Sequence, residues 1–481
     1  MTKILLINPS KWGRGITPIW IASHAAILKS EKHDVKLFDA TFYAKWSNME
    51  NVYNTKNEQY KPTDYESFIN YNDKNVKDSL QLTIDEYKPN LIFWSALSSH
   101  IHGEGEYVNI QYGYDLLKDL NLSNAILVTG GLQVTASPEL IFKKFKKVNY
   151  LIQGESELVL TEFAQKIDDI SQLKKLKGLA YNENNKIVVN DKQNLIHDLD
   201  KIPNYDYSLF DDQIFLRPYN GQVVKAIDYE LSRGCIYTCS YCVETVVQNY
   251  YGFNEKTNRG VLINAKKYIR SKSAKRIYDE LSFYQKQYKI NFVRCQDTNF
   301  LTINKKVLKE LEEIILKDPL NVKLYIETRP EGINDNTAQL LKNLNVDGVG
   351  MGIELAGEDF REDELNRFSS QKAIFEAFRI LKKYNIKRTS YNIIGLPNQN
   401  EESIKKTIEF NRKLFPDNVT VAFYSPYLGT EEQKKSHKLE YFDEHEDNVD
   451  GQLRSVARNS LVSTAQLNYY KKNFKRLVMQ K

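Results

Sequence analysis

The N-terminal part of the chain alternates between two hydrophobic patterns. KILLINP (3–9), HDVKLFDA (33–40), NLIFWSAL (90–97), AILVTGG (125–131) and NYLIQG (149–154) are short, largely apolar runs of strand length. Between them, PIWIASHAAILKSEK (18–32), a segment ending near Lys88, YVNIQYGYDLLKDL (107–120) and PELIFKKFKK (138–147) repeat their apolar residues at helical spacing. Apolar strands separated by amphipathic helices predict a parallel sheet with crossover helices. In such a sheet, ligands gather beyond the C-terminal ends of the strands. Small and polar residues stand there: Ser98, Gly130–Gly131 and Gly154–Glu155. A Tyr- and Asn-rich excursion (42–76) interrupts the alternation.

Past this region, GLAYNENNKIVVND (178–191) reads as a hairpin about an Asn-rich turn. With DLDKIPNYDYSLFD (198–211) it predicts a connector. A second alternating region then begins at KAIDYELSRG (225–234) and continues through INFVRCQD, VKLYIETR, VDGVGMGIEL, KRTSYNIIGLP and VTVAFYSP. Helical segments such as KKVLKELEEIILK (305–317) and SQKAIFEAFRILKKY (370–384) lie between. About six βα units are too few for an eight-fold barrel and predict a partial one. The expected organisation is an α/β chain: a Rossmann-like, flavodoxin-like domain over 1–170, a hairpin and linker over 171–222, a partial (β/α)6 TIM-type barrel over 223–431, and a helical extension over 432–481.

Charge adds little to this picture. The 67 basic and 62 acidic residues leave a net +5, too diffuse to indicate a nucleic-acid partner. The longest apolar runs fall far short of a membrane span. The N-terminus has no signal-peptide pattern. Four cysteines without pairing logic fit a reducing compartment, so a cytoplasmic location is expected.

Three of those four cysteines, Cys235, Cys239 and Cys242, fall in SRGCIYTCSYC (232–242), just after a strand. A structural zinc site wants four closed ligands, and the remaining cysteine, Cys295, stands alone in INFVRC. Three thiolates from one loop suit a [4Fe–4S] cluster with one iron left open. A fourth thiolate would close the position where a substrate coordinates.

CIYTCSYC resembles the cluster motif of radical S-adenosylmethionine (SAM) enzymes, and the likeness extends over about 225–431. QDTNFL (296–301) is similar to that family's acidic segment, ETRPE (327–331) to its third-strand motif, and GIELAG (352–357), followed by ELNR (364–367), to its GIESG segment. NIIGLPNQNEE (392–402) resembles the fifth-strand motif, and SPYLGTE (425–431) the closing PxPGTE. The resemblance implies that Glu327 and Arg329 stand at the cofactor-binding barrel mouth, that Glu354 and Arg329 meet the methionine half or ribose of SAM, and that backbone near Tyr241 and Gly395 holds adenine. Residues 1–165 are similar to the cobalamin-binding domain that precedes the barrel in one subgroup. There Ser98, Gly130, Gly131, Gln133, Thr135, Gly154 and Glu155 would meet the corrin or its nucleotide tail. The DxHxxG motif, which gives cobalt a histidine in some cobalamin proteins, is absent: the histidines are His24, His33, His100, His102, His197, His437 and His445. Cobalt without a protein histidine beneath it is therefore expected, although His100 and His102 follow strand 90–97.

The resemblance implies a [4Fe–4S] cluster, SAM and cobalamin as cofactors. It further implies a small-molecule or natural-product-like substrate and an external electron donor such as flavodoxin or ferredoxin. The expected reaction is C-methylation, with methyl moving from methylcobalamin to an unactivated carbon after a 5′-deoxyadenosyl radical has removed its hydrogen. A cobalamin-dependent radical cyclase or rearrangement enzyme is the alternative. A methylthiotransferase is disfavoured because residues 1–234 contain no cysteine. A non-catalytic sensor of cobalamin and cluster would cleave no SAM.

Overall fold

A computed structural model describes residues 1–11, 13–47, 63–94, 106–424, 426–438 and 461–480. Two compact units result, one built from Met1–Tyr53, Asp64–Arg217 and Val246–Gly252, the other mainly from Pro218–Thr245 and Phe253–Lys481.

The first unit is organised on a seven-stranded sheet. β1 (Lys3–Asn8), β2 (Asp34–Asp39), β3 (Leu91–Trp94), β4 (Ile126–Gly130) and β5 (Tyr150–Ile152) run parallel, in the order β2-β1-β3-β4-β5. Ile4 to Ile7 and Leu91 to Trp94 are fully buried, as strands covered on both faces must be. Crossover helices Ile19–Ser30, Val76–Tyr87 and Glu106–Leu117 fall where the helical spacing predicts. The second of these shows why: the Asn75 side chain accepts from the Lys77 and Asp78 N–H groups at its start, and Lys88 ends it in a left-handed conformation.

The hairpin expected in the connector instead extends this sheet. β6 (Leu179–Glu183) and β7 (Lys186–Val189) pair antiparallel through a two-residue turn at Asn184–Asn185, both at positive φ, and β6 pairs antiparallel with β5. A short helix, Leu132–Ala136, also follows β4 directly, over residues too few to show a period.

The second unit carries a second seven-stranded sheet. Its edge strand β8 (Leu216–Tyr219) connects through Asn220–Gly221 to β9 (Gln222–Tyr229). From β9 the strands β12 (Phe292–Cys295), β13 (Lys323–Glu327), β14 (Val346–Glu354), β15 (Lys387–Ile394) and β16 (Asn418–Phe423) run parallel in sequence order, with a helix in each crossover. This is a half-barrel of six βα units. A small ribbon of β10 (Ser232–Arg233) and β11 (Arg270–Ser271) stands beyond the end of β9. On β14, Gly348, Gly350 and Gly352 share one face by the two-residue strand period. The Tyr391 ring uses the room: a Cβ at Gly350 would lie 2.3 Å from its hydroxyl.

The C-terminal helix Thr464–Met479 starts at a capping box formed by Ser463 and Gln466. Its buried Leu467, Tyr470, Phe474 and Val478 pack with Val419, Val421 and Phe423 of β16 and Ile404 and Ile408 of helix Glu401–Leu414. Among the described residues no helix is long and apolar enough to cross a membrane.

Candidate active site

Because the six half-barrel strands are parallel, everything that follows a strand meets at one edge. The cysteine loop follows β9, Glu327 ends β13 with Arg329 two residues on, Glu354 ends β14, and Gly395 follows β15. Cys235 and Cys239 are buried, Cys242 is half-buried, and all are free thiols.

The loop is anchored on several sides. The Glu244 carboxylate, itself buried, accepts the Cys235 N–H at 3.0 Å and the Tyr268 hydroxyl at 2.7 Å. Thr238 N–H donates to the Gly260 carbonyl at 3.0 Å, and the Asn366 amide donates to the Thr238 carbonyl at 2.7 Å. Ser240 donates its N–H to the Leu365 carbonyl and its hydroxyl to Glu432, each at 3.0 Å, and Glu432 accepts a second hydroxyl from Tyr424 at 2.8 Å. Gly234, at φ +96°, brings the chain against Tyr268.

Donors converge on the sulfurs. The Arg329 guanidinium approaches Cys239 Sγ at 3.6 Å and lies over the Tyr237 ring at 3.8 Å, while Glu331 holds its other edge at 2.7 Å. The Tyr237 N–H points at Cys235 Sγ at 3.5 Å. Burial, then the Glu244 charge, push the Cys235 thiol up to about 12, and burial also pushes the Cys242 thiol up. A bound metal reverses that by taking the thiolate directly. Among the described residues no three His, Cys, Asp or Glu side chains are grouped to ligate one metal ion. A four-iron cube does not ask for that, since each thiolate takes a different iron; a zinc site, with sulfurs about 2.3 Å from one ion, does. Three thiols on one loop, with a cation and an N–H aimed at their sulfurs, fit the cluster.

Beside the loop, the Tyr241 hydroxyl donates to Glu354 Oε1 at 2.9 Å, and Arg367 lies 3.6 Å from the same oxygen. Glu327 is differently engaged, accepting from Tyr391 at 3.1 Å and Arg294 at 3.3 Å on the sheet. The Gly395 N–H is taken by the Gln399 side chain at 2.8 Å. Cys295 is buried in β12, away from the loop in sequence, and burial raises its thiol.

In the first unit, the structure brings Gly130, Gly131, Gln133, Thr135, Gly154 and Glu155 to the C-terminal ends of β4 and β5. The Thr135 hydroxyl donates to the Gly131 carbonyl at 2.8 Å and accepts the Gly154 N–H at 2.9 Å, stapling the two loops. Gln133 is buried beside it in the helix after Gly131. Glu155 is buried, its N–H bound to the Tyr251 hydroxyl at 2.8 Å and its carboxylate accepting the Ile196 N–H at 3.1 Å. Ser98, His100 and His102 lie outside the described residues, as does His445. His24 is fully buried, and its two ring nitrogens meet the Trp20 carbonyl and the Ser156 hydroxyl at 2.6 and 3.0 Å.

Residue reasoning from sequence passed over Glu244, Glu331, Arg367 and Glu432. Three had a signal: Arg367 closes the ELNR segment, Glu331 closes ETRPE, and Glu244 stands two residues past the last loop cysteine.

Residues 229–410 match the radical SAM superfamily. An uncharacterised methyltransferase of Pyrococcus horikoshii is 26% identical over 347 residues, 72% of this chain and 69% of that protein. The anaerobic magnesium-protoporphyrin IX monomethyl ester cyclase of Rubrivivax gelatinosus is 24% identical across 76% of this chain, which spans 62% of that enzyme. Among solved structures, the radical SAM methyltransferase TsrM of Kitasatospora setae, with cobalamin and a [4Fe–4S] cluster bound, superposes with a TM-score of 0.65 at 17% identity, over 91% of this chain and 78% of that one. The cobalamin-dependent SAM radical enzyme OxsB, with aqua-cobalamin and SAM, gives 0.66 at 14% identity over 98% and 67%. Residues 229–410, which carry the cysteine loop and most of the half-barrel, thus match a radical SAM domain, and the chain as a whole has the fold of TsrM and OxsB.

Proposed function

We propose that this protein is a cobalamin-dependent radical SAM methyltransferase that places a methyl group on an unactivated carbon of a small molecule. The observation that carries the reading is the loop of three free cysteines at the strand-end edge of the half-barrel, with Arg329 on Cys239 and the Glu354 carboxylate at the same edge. When bound, the cluster, SAM and cobalamin supply one-electron cleavage of a sulfonium bond and carriage of a methyl group. Cys235, Cys239 and Cys242 hold the cluster. Arg329 offsets the negative charge of the thiolates and stays oriented by Tyr237 and Glu331. Glu354 receives the ammonium or ribose hydroxyls of SAM, and backbone near Tyr241 and Gly395 borders the adenine. In the first unit Gly130, Gly131 and Gly154 let backbone approach a flat macrocycle, with Gln133 and Thr135 beside them; Ser98 and Glu155 are assigned to the same site from the sequence.

The test is anaerobic reconstitution with iron, sulfide and hydroxocobalamin, followed by SAM and a low-potential reductant such as reduced flavodoxin. Formation of both 5′-deoxyadenosine and S-adenosylhomocysteine supports methyl transfer. A second reading, a radical cyclase, is favoured by the likeness to the R. gelatinosus enzyme. It gives 5′-deoxyadenosine alone and a product without an added CH₂. Neither product would refute both readings.

A further inference from the structure

Cluster ligation gives no reason for a hydroxyl on the residue before the third cysteine. Tyr241 nevertheless directs its hydroxyl to Glu354 Oε1, 113 positions away, at 2.9 Å. Arg367 Nη1 donates to that same hydroxyl at 3.3 Å and lies 3.6 Å from Glu354 Oε1, while Nη2 donates to the Gly352 carbonyl at 2.5 Å. Glu354 and Arg367 are 6% and 5% exposed, so both charges are largely shielded from water, with Tyr241 half-buried beside them. The Tyr241 hydrogen bond and the Arg367 ion pair both fall on Oε1, and among the described residues Glu354 Oε2 takes no hydrogen bond.

The backbone is shaped to make this arrangement. Glu354 ends β14 at φ +62°, a left-handed conformation that a side chain other than glycine adopts at a cost, and such outliers gather at functional sites. Gly352 keeps the space open: a Cβ there would lie 2.2 Å from Glu354 Oε1 and 3.0 Å from Arg367 Nη2. A buried carboxylate with one oxygen hydrogen-bonded by Tyr241 and ion-paired with Arg367, and the other oxygen left over, is set to receive a cation or hydroxyls.

We propose that Tyr241 is a positioning residue, whose hydroxyl, backed by Arg367, fixes the Glu354 carboxylate so that Oε2 faces SAM, tying the substrate pocket to the loop that carries Cys242. The inference rests on the proposed function and adds a job for a hydroxyl that ligation does not need. Tyr241→Phe deletes one oxygen and keeps the ring that packs with Leu355, Leu365 and Leu396.

The experiment uses the full chain, reconstituted anaerobically, in four forms: wild type, Tyr241→Phe, Glu354→Gln and the double variant. SAM affinity is read by equilibrium dialysis and by the change SAM causes in the electron paramagnetic resonance spectrum of the reduced cluster. The expected result for Tyr241→Phe is unchanged iron and sulfide content and unchanged melting temperature, with SAM bound about tenfold more weakly, the loss of one hydrogen bond to a charged group. The double variant should bind no more weakly than Glu354→Gln alone, because both changes act through one carboxylate. SAM binding by Tyr241→Phe within twofold of wild type overturns the inference, as do losses that multiply in the double variant. A wild-type protein that takes up its cluster but binds no SAM overturns the proposed function and the inference together.

Discussion

Replacing Glu244 with alanine should loosen the cysteine loop at its first ligand. The side chain is buried, and one oxygen accepts both the Cys235 N–H at 3.0 Å and the Tyr268 hydroxyl at 2.7 Å. Alanine strands two buried donors, each worth about 1–3 kcal/mol when left unsatisfied. It also removes a negative charge from the first turn of helix Glu244–Tyr251, worth about 0.3–1 kcal/mol. With partial relief from entering water, the sum is about 3 kcal/mol, or roughly a hundredfold more frequent opening of the loop. Glu244→Gln keeps an acceptor oxygen and should cost about 1 kcal/mol, the charge alone. Global denaturation would blur this in a protein of two units, so amide hydrogen exchange of the peptide containing Cys235 is the proper assay. Thiol alkylation of metal-free protein gives a second axis. The Glu244 charge helps push the Cys235 thiol up, so at fixed pH Glu244→Gln should speed alkylation by more than it speeds exchange. Exchange in Glu244→Ala equal to wild type would refute the argument that this carboxylate holds the loop.

Asp297 is buried among the Leu231 N–H and the Ser232 hydroxyl, and burial pushes its carboxyl up to about 7. The folded state therefore holds a proton that the unfolded chain releases near pH 4, so stability should fall as pH rises from about 4 to about 7. Asp297→Asn should flatten that slope in denaturant midpoints taken across the window, and an unchanged slope would count against the buried protonated acid. Gly154→Ala should destabilise the first unit by roughly 2–4 kcal/mol, because φ is +69° and the new Cβ would lie 2.5 Å from the Tyr251 hydroxyl; circular dichroism melts check it. Arg329→Gln should lower cluster content on reconstitution, measured as iron per chain, since the cation 3.6 Å from Cys239 Sγ is lost. Phe474→Ala should cost about 3–5 kcal/mol and raise aggregation as the C-terminal helix lifts from β16.

Local pattern carried most of the architecture. Runs such as KILLIN and LIFW read as strands because they are too short for a helix and a covered parallel sheet buries both faces of a strand, and the parallel order followed from the helices between them. The cysteine loop was legible because its ligands are neighbours in sequence. Contacts made across the chain were not. The Tyr241–Glu354–Arg367 group joins three segments that only the closing of the half-barrel brings together. The hairpin β6–β7 was recognisable by its Asn turn, yet its pairing with β5 depends on an edge that local pattern cannot see. Likewise Val246–Gly252 joins the first unit, where Tyr251 binds Glu155, although it directly follows the cysteine loop in sequence.

A sheet that stops at half a barrel leaves two rims of backbone able to recruit foreign strands. The helix Thr464–Met479 lies against one rim, where Lys471 takes the Val421 carbonyl. The opposite rim is four residues long and includes Pro218, which has no N–H to offer. Incomplete closure thus leaves little free strand edge on this sheet for another chain to pair with.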